Sequence, residues 1–129
     1  MENSNMVIDT SIFIEYLRAK VKTNTELFKI PENSNLYISS VTLYELLVGA
    51  TNENKTKDIV LLTEDLIVLP FDQEVCFEAS KIYHQLRLSN QMIEFRDIFI
   101  ASTCIVNNLP IKTLNYKHFE RISNLELIL

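Results

Sequence analysis

The strongest constraint on this chain is a set of short apolar runs, each ended by polar residues and each joined to the next by helix-compatible sequence. Met6-Val7-Ile8 stops at Asp9, Leu36-Tyr37-Ile38 runs into Ser39-Ser40, Ile67-Val68-Leu69 is closed by Pro70, and Ile111-Lys112-Thr113-Leu114 leads to Asn115. Short bounded apolar runs read as buried parallel strands. Between the first two, Ile12, Phe13, Tyr16 and Leu17 share one helical face. Thr10 and Ser11 read as caps of that helix. Thr23-Asn24-Thr25-Glu26 fits a capping box ahead of a short helix that Pro31 closes. Leu43 to Ala50 is helical, and after the polar stretch Asn52 to Lys57 a helix is expected to about Leu62. Asp72 is placed to cap a long helix from Gln73 to about Leu88, with Val75, Ala79, Ile82 and Leu86 on its inner face. Glu94 to Val106 predicts a helix buried on most sides. Tyr116 to Phe119 forms one helical turn, and Leu125 to Ile128 an edge strand. Strands alternating with helices imply an α/β sandwich with a mostly parallel sheet. One glycine and three prolines leave little punctuation, so loops are short. Without a repeat or composition break, residues 1–129 read as one domain.

Composition narrows the class. At 47% hydrophobic and 22% charged residues, the chain is neither disordered nor low-complexity. No apolar run approaches 18 residues, so no membrane span is expected. Met1-Glu2-Asn3-Ser4-Asn5 carries no basic segment and no apolar core, so the expected location is cytoplasmic. Cys76 and Cys104 lack metal or disulfide spacing and read as reduced core residues. The net charge of −5 argues against gripping nucleic acid by bulk charge. An acidic chain can still act on nucleic acid if its carboxylates hold a metal.

Three acids are placed for that. In parallel α/β folds, ligands bind outside the carboxyl ends of the strands, and Asp9 directly follows the first strand. Its other reading is a helix cap. Glu45 lies among Val41-Thr42-Leu43-Tyr44 and Leu46-Leu47-Val48, where an acid is costly unless partnered. Its other reading is a Thr42-x-x-Glu45 capping box. Asp97 opens the apolar run Ile98-Phe99-Ile100-Ala101, with the helix dipole or Arg96 as its alternative partners. Glu94, one turn earlier, reads as a solvated first-turn acid or a further ligand. Such carboxylates, without a His or Cys cluster, select a hard cation, Mg²⁺ or Mn²⁺, and such an ion suits phosphodiester hydrolysis.

Four segments, in order, resemble the PIN-domain nucleases and, within them, the VapC-type toxins of toxin–antitoxin pairs. They are Val7-Ile8-Asp9-Thr10-Ser11, the stretch from Ile38 through Glu45 to Gly49, Ile93 with Asp97 to Ser102, and Thr113-Leu114-Asn115-Tyr116-Lys117-His118-Phe119. The resemblance implies a three-layer sandwich with four or five short, mostly parallel strands. It also implies Mg²⁺-dependent cleavage of single-stranded RNA, a homodimer, a cognate antitoxin and no membrane. It carries metal binding and catalysis onto Asp9, Glu45 and Asp97. Many relatives have an aspartate where Asn115 stands, and an acid is frequent at the place of His118, so one Mg²⁺ is expected. Asn115, Thr10, Ser11 and His118 are expected behind the metal or toward the substrate. Lys112, Lys117, Arg121 and Arg18 are RNA-binding candidates, with Lys20 and Lys22 beside the last, while His84 reads as a surface residue. The antitoxin is expected to place a basic group near Asp9 and Asp97 and an apolar segment over Ile12, Phe13 and Tyr16. A DxDxT phosphatase needs an acid where Ser11 stands, and a receiver domain needs paired acids at its first turn, so neither fits. The competing readings are an RNA-processing nuclease without an antitoxin and a non-catalytic RNA- or protein-binding module, against which the intact acids argue.

Overall fold

The computed structural model describes residues 4–128; Met1–Asn3, part of the opening segment read above for targeting, and Leu129 lie outside the described residues. Among the described residues, five strands form one sheet: β1 (Asn5–Ile8), β2 (Asn35–Ser39), β3 (Ile67–Leu69), β4 (Ile111–Lys112) and β5 (Leu127–Ile128). Their order is β3-β2-β1-β4-β5, and every pairing is parallel. The chain builds outward from β1 to β3, then returns across the sheet to place β4 on the other side of β1. The carboxyl ends of β1 and β4 therefore flank the topological switch point, where the diverging connections leave a crevice.

Around the sheet, the described residues form the α-helices α1 (Thr10–Arg18), α2 (Glu26–Lys29), α3 (Ser40–Gly49), α4 (Glu53–Thr63), α5 (Gln73–Leu88), α6 (Phe95–Val106) and α7 (Tyr116–Phe119). Alternation along β1 sends Val7 into a core with Ile82, Leu86, Ile98, Ala101 and Cys104 of α5 and α6. It sends Met6 and Ile8 into another core with Ile12, Phe13, Leu46 and Ile59 of α1, α3 and α4. Two apolar cores, one on each face, make this the expected three-layer sandwich. No helix among the described residues is long and apolar enough to cross a membrane.

Local chemistry explains the boundaries. Asp72 caps α5 through the Val75 amide, and Val75, Ala79, Ile82 and Leu86 are its buried residues, as their spacing predicts. Asn52 caps α4 through the Lys55 amide, so that helix starts inside the polar stretch. Asn90, Asn108 and Asn124 take positive φ values of 56°, 54° and 68°. Asparagine is one of the few side-chain-bearing residues that visits this region readily, so these residues reverse the chain where a glycine would otherwise serve.

Several expectations are corrected. The cap of α1 is Asp9, not Thr10 or Ser11, which are already helical. Thr25, not Thr23, caps α2, because Thr23 lies within a 3-10 turn. Ser39 caps α3 through the Val41 and Thr42 amides, so Thr42 and Glu45 form no capping box. β4 ends at Lys112, because Thr113 and Leu114 turn toward α1. Cys76 is exposed on α5, whereas Cys104 is in the core.

Ile12 and Phe13 are fully buried beneath α1, so they cannot seat a partner. Phe13→Ala should cost ~3–5 kcal/mol through lost burial and the cavity left behind. The measurement is urea unfolding followed by circular dichroism, and the expected outcome is a lower midpoint.

Candidate active site

Asp9 is 1% exposed at the carboxyl end of β1. Its Oδ2 accepts hydrogen bonds from the Ser11 hydroxyl and the Thr113 hydroxyl, each at 2.7 Å. A longer bond of 3.4 Å comes from the Ser11 amide, which is how the same residue caps α1. The parallel register makes this possible: Ile8 pairs with Lys112, so the next residues, Asp9 and Thr113, come out side by side. Ser11 Oγ also accepts from the Leu114 amide at 3.0 Å. One carboxylate oxygen thus joins β1, α1 and the turn after β4. Among the described residues, no hydrogen bond reaches Oδ1.

Asp97 is 5% exposed in the first turn of α6. The packing of Ile98, Ile100 and Ala101 beneath the sheet holds that turn inward. Its Oδ2 lies 3.0 Å from His118 Nδ1. A carboxylate only accepts, so His118 donates to Asp97 from Nδ1. Burial pushes the Asp97 carboxyl above its usual 3.8. The His118 hydrogen bond opposes that rise, and the nearby negative charge of Asp9 adds to it.

Glu45 is on α3. Its Oε1 lies 2.8 Å from Thr10 Oγ1, which is itself 3.0 Å from Thr42 Oγ1. The carboxylate can only accept, so the Thr10 hydroxyl donates to Glu45. Glu45 Oε2 receives Arg96 Nη1 at 3.2 Å, and Arg96 Nε holds Glu94 at 2.9 Å. Arg96 therefore pairs with Glu45 and Glu94, not with Asp97.

Asp9, Thr10, Ser11, Glu45, Arg96, Asp97 and Asn115 line one cavity at the switch point. The structure brings the three predicted acids to that cavity, but among the described residues no three acidic, His or Cys side chains stand close enough to ligate one ion as they are placed. Asp9 and Asp97 are near enough for their charges to interact, while Glu45 is held aside by Thr10 and Arg96. Asn115 is exposed at the rim, and His118 stands behind Asp97. The donor set is all oxygen, and the two buried aspartates repel, which suits a hard divalent cation that would relieve the repulsion.

The basic candidates separate. Arg18 lines the cavity together with Lys55, which was not anticipated. Lys112 lies away from the cavity, 3.9 Å from Glu26. Arg121 is turned to the Gln91 and Met92 carbonyls, and Lys22 donates to the Tyr16 and Leu17 carbonyls. Lys112, Arg121 and Lys22 thus have intramolecular partners, and neither they nor exposed Lys117 line the cavity. His84 is exposed on α5, as expected. Besides Lys55, sequence reading missed Thr113 as the partner of Asp9 and Arg96 as the partner of Glu45. Thr113 reads from sequence as part of the fourth strand, and only the observed end of β4 at Lys112 places it beside Asp9, as Asp9 follows β1.

Fold and site define an α/β domain with an oxygen-donor acidic site at the switch point of a parallel sheet. The PIN domain family model matches residues 6–125. The chain is 30% identical to Ribonuclease VapC1 of Methanocaldococcus jannaschii, covering 98% of this chain and 87% of the relative. It is 34% identical to Ribonuclease VapC of Rickettsia bellii, over 95% and 94%. The solved VapBC-1 structure from nontypeable Haemophilus influenzae superposes with a TM-score of 0.83 at 29% identity, covering 96% of each chain. The chain belongs to the PIN-domain family, in its VapC-type branch.

A raised carboxyl pKa means that the folded state binds the Asp97 proton more tightly than the unfolded chain does. The stability from this group is complete below pH 3.8 and is lost as pH rises through the folded value. At neutral pH the ionised group destabilises the metal-free fold. Asp97→Asn should therefore raise the Tm of the metal-free protein at pH 7, and the gain should shrink toward pH 4. Scanning calorimetry across that range in the presence of a chelator is the check.

Proposed function

We propose that this chain is a metal-dependent endoribonuclease that cleaves single-stranded regions of RNA, with Mg²⁺ as the ion and Mn²⁺ as a substitute. We further propose that it acts as the toxin of a VapBC-like pair. The observation that carries the reading is the pair of buried aspartates, Asp9 and Asp97, facing one cavity at the carboxyl end of a parallel sheet. Burying two like charges together is costly without a counter-charge. The names of the relatives, ribonucleases of the VapC type, support the reaction class.

In this reading Asp9 and Asp97 hold the ion, and Glu45 completes the protein's share of the ligands. The bound ion would activate the attacking water and offset the charge that builds on phosphorus. Ser11 and Thr113 fix the rotamer of Asp9, so its free oxygen is presented to the cavity without reorganisation. His118 does the same for Asp97. Such partners orient the ligands, and as hydrogen-bond donors they favour the ionised carboxylates that bind a cation. Asn115 is neutral and exposed, so it contacts substrate or a metal-bound water. Arg18 and Lys55, on the cavity wall, supply cations for the RNA phosphates.

The partner reading rests on the other half of the cavity. Beyond the acids it is lined by Ile14, Leu17, Leu46, Ala50 and Ile59, which matches an apolar segment of an antitoxin whose basic side chain reaches the aspartates. This places the partner beside α1 rather than over Ile12 and Phe13. The VapC resemblance is what supports a homodimer.

Cleavage of a single-stranded RNA by the purified chain should cease with chelator and return with Mg²⁺. Asp9→Asn and Asp97→Asn should each lose more than ~100-fold, the upper range for removing an outer-shell partner, whereas Thr113→Val should lose ~10-fold. Asn115→Ala should stay within that smaller loss, and equal inactivation of Asn115→Ala and Asp97→Asn would move Asn115 into the catalytic group. RNA binding that persists while cleavage never appears would favour a non-catalytic module. For the partner, Leu17→Asp should remain toxic but escape neutralisation by the co-expressed antitoxin, read as growth.

A further inference from the structure

Among the described residues, Arg96 is the one lysine or arginine in direct contact with an acid of the cavity; His118 is the other basic side chain that touches one. It bridges two carboxylates: Nη1 is 3.2 Å from Glu45 Oε2 and Nε is 2.9 Å from Glu94 Oε2. The two contacts differ in setting. The Glu45 side chain is 18% exposed and the Glu94 side chain 61%. Glu94 stands outside the cavity at the start of α6, while Glu45 faces into it. Arg96 itself is 57% exposed, so its guanidinium can swing at little cost in packing.

We propose that Arg96 is an internal counter-ion of the acidic site, which holds Glu45 in the metal-free protein and releases it when a divalent cation binds to the aspartates. The proposal rests on the metal reading above. Three observations converge on it. Both oxygens of Glu45 are engaged, one by Thr10 and one by Arg96. A hydroxyl bond leaves the carboxylate free to accept further, but a guanidinium and a dication at the same oxygen repel each other. Among the described residues, Asp9, Glu45 and Asp97 also form no ready-made three-ligand cluster while the Arg96–Glu45 pair is in place. Finally, Glu94 keeps Arg96 tethered on the helix, so a released guanidinium stays at the cavity rim and can return when the ion leaves.

The consequence is competition. Part of the cation affinity available from Glu45 is spent on displacing Arg96. Binding of Mn²⁺ alone, without RNA, should be measured by the paramagnetic resonance of free Mn²⁺, using wild type, Asp97→Asn, Arg96→Gln and Arg18→Gln. Asp97→Asn should bind distinctly more weakly than wild type; unchanged binding there would overturn the metal reading and the counter-ion with it. Given that loss, Arg96→Gln should bind Mn²⁺ roughly two- to fivefold more tightly than wild type, the scale set by a partly exposed ion pair. Arg18→Gln removes a charge from the same cavity without breaking an ion pair present among the described residues, and it should shift the affinity less. If Arg96→Gln binds no more tightly than wild type, or if Arg18→Gln tightens binding as much, direct competition for Glu45 is wrong.

Discussion

The structure depends most on the hydrogen bonds that converge on Asp9 Oδ2. Ser11 reaches it from the first turn of α1, and Thr113 reaches it from just beyond β4, on the other side of the switch point. A buried carboxylate must be satisfied, or it costs several kcal/mol. Here the donors that satisfy it also join the end of β1 to the start of α1 and to the turn after β4. The same contacts therefore close the fold at its most open place and hold Asp9 at the cavity wall, its other oxygen without a hydrogen bond among the described residues.

Charge is handled differently at each acid. Asp9 is stabilised by neutral donors, so its environment adds no compensating charge. Asp97 has a histidine, and burial together with Asp9 still leaves its carboxyl raised. Glu45 has an arginine. The cavity thus keeps two aspartates under mutual repulsion and a third carboxylate neutralised nearby. Such an arrangement is poor for metal-free stability and well suited to attracting a cation, a trade between stability and function that functional sites commonly show.

Much of the site was legible because parallel α/β folds turn a local pattern into a location. An acid that ends a buried apolar run must lie at the carboxyl edge of the sheet, which placed Asp9. An acid that opens a nearly all-apolar helix must lie where that helix enters the core, which placed Asp97. Glu45 was legible as an acid among apolar neighbours, but its local alternative, a capping box with Thr42, fails because Ser39 caps the helix three residues earlier. The first helix misled by excess. Ile12, Phe13 and Tyr16 suggested an unspent apolar surface, yet Ile12 and Phe13 are fully buried against the sheet.

The sequence by itself determined the alternation of strands and helices, the inner face of α5, the switch-point position of Asp9 and the family. These depend on periodicity and on neighbours within a few residues, where short-range sterics and burial act alone. Tertiary structure decided the partners: Thr113 for Asp9 across 104 positions, His118 for Asp97 across 21, and Arg96 for Glu45 across 51. Such contacts depend on strand register, on helix crossing and on which rotamer leaves a buried charge satisfied. Arg96 shows the limit most clearly. Its sequence neighbours are Glu94 and Asp97, and it takes the first and a distant third acid, because a helix turns adjacent side chains about 100° apart and so points Arg96 toward α3 while Asp97 points inward.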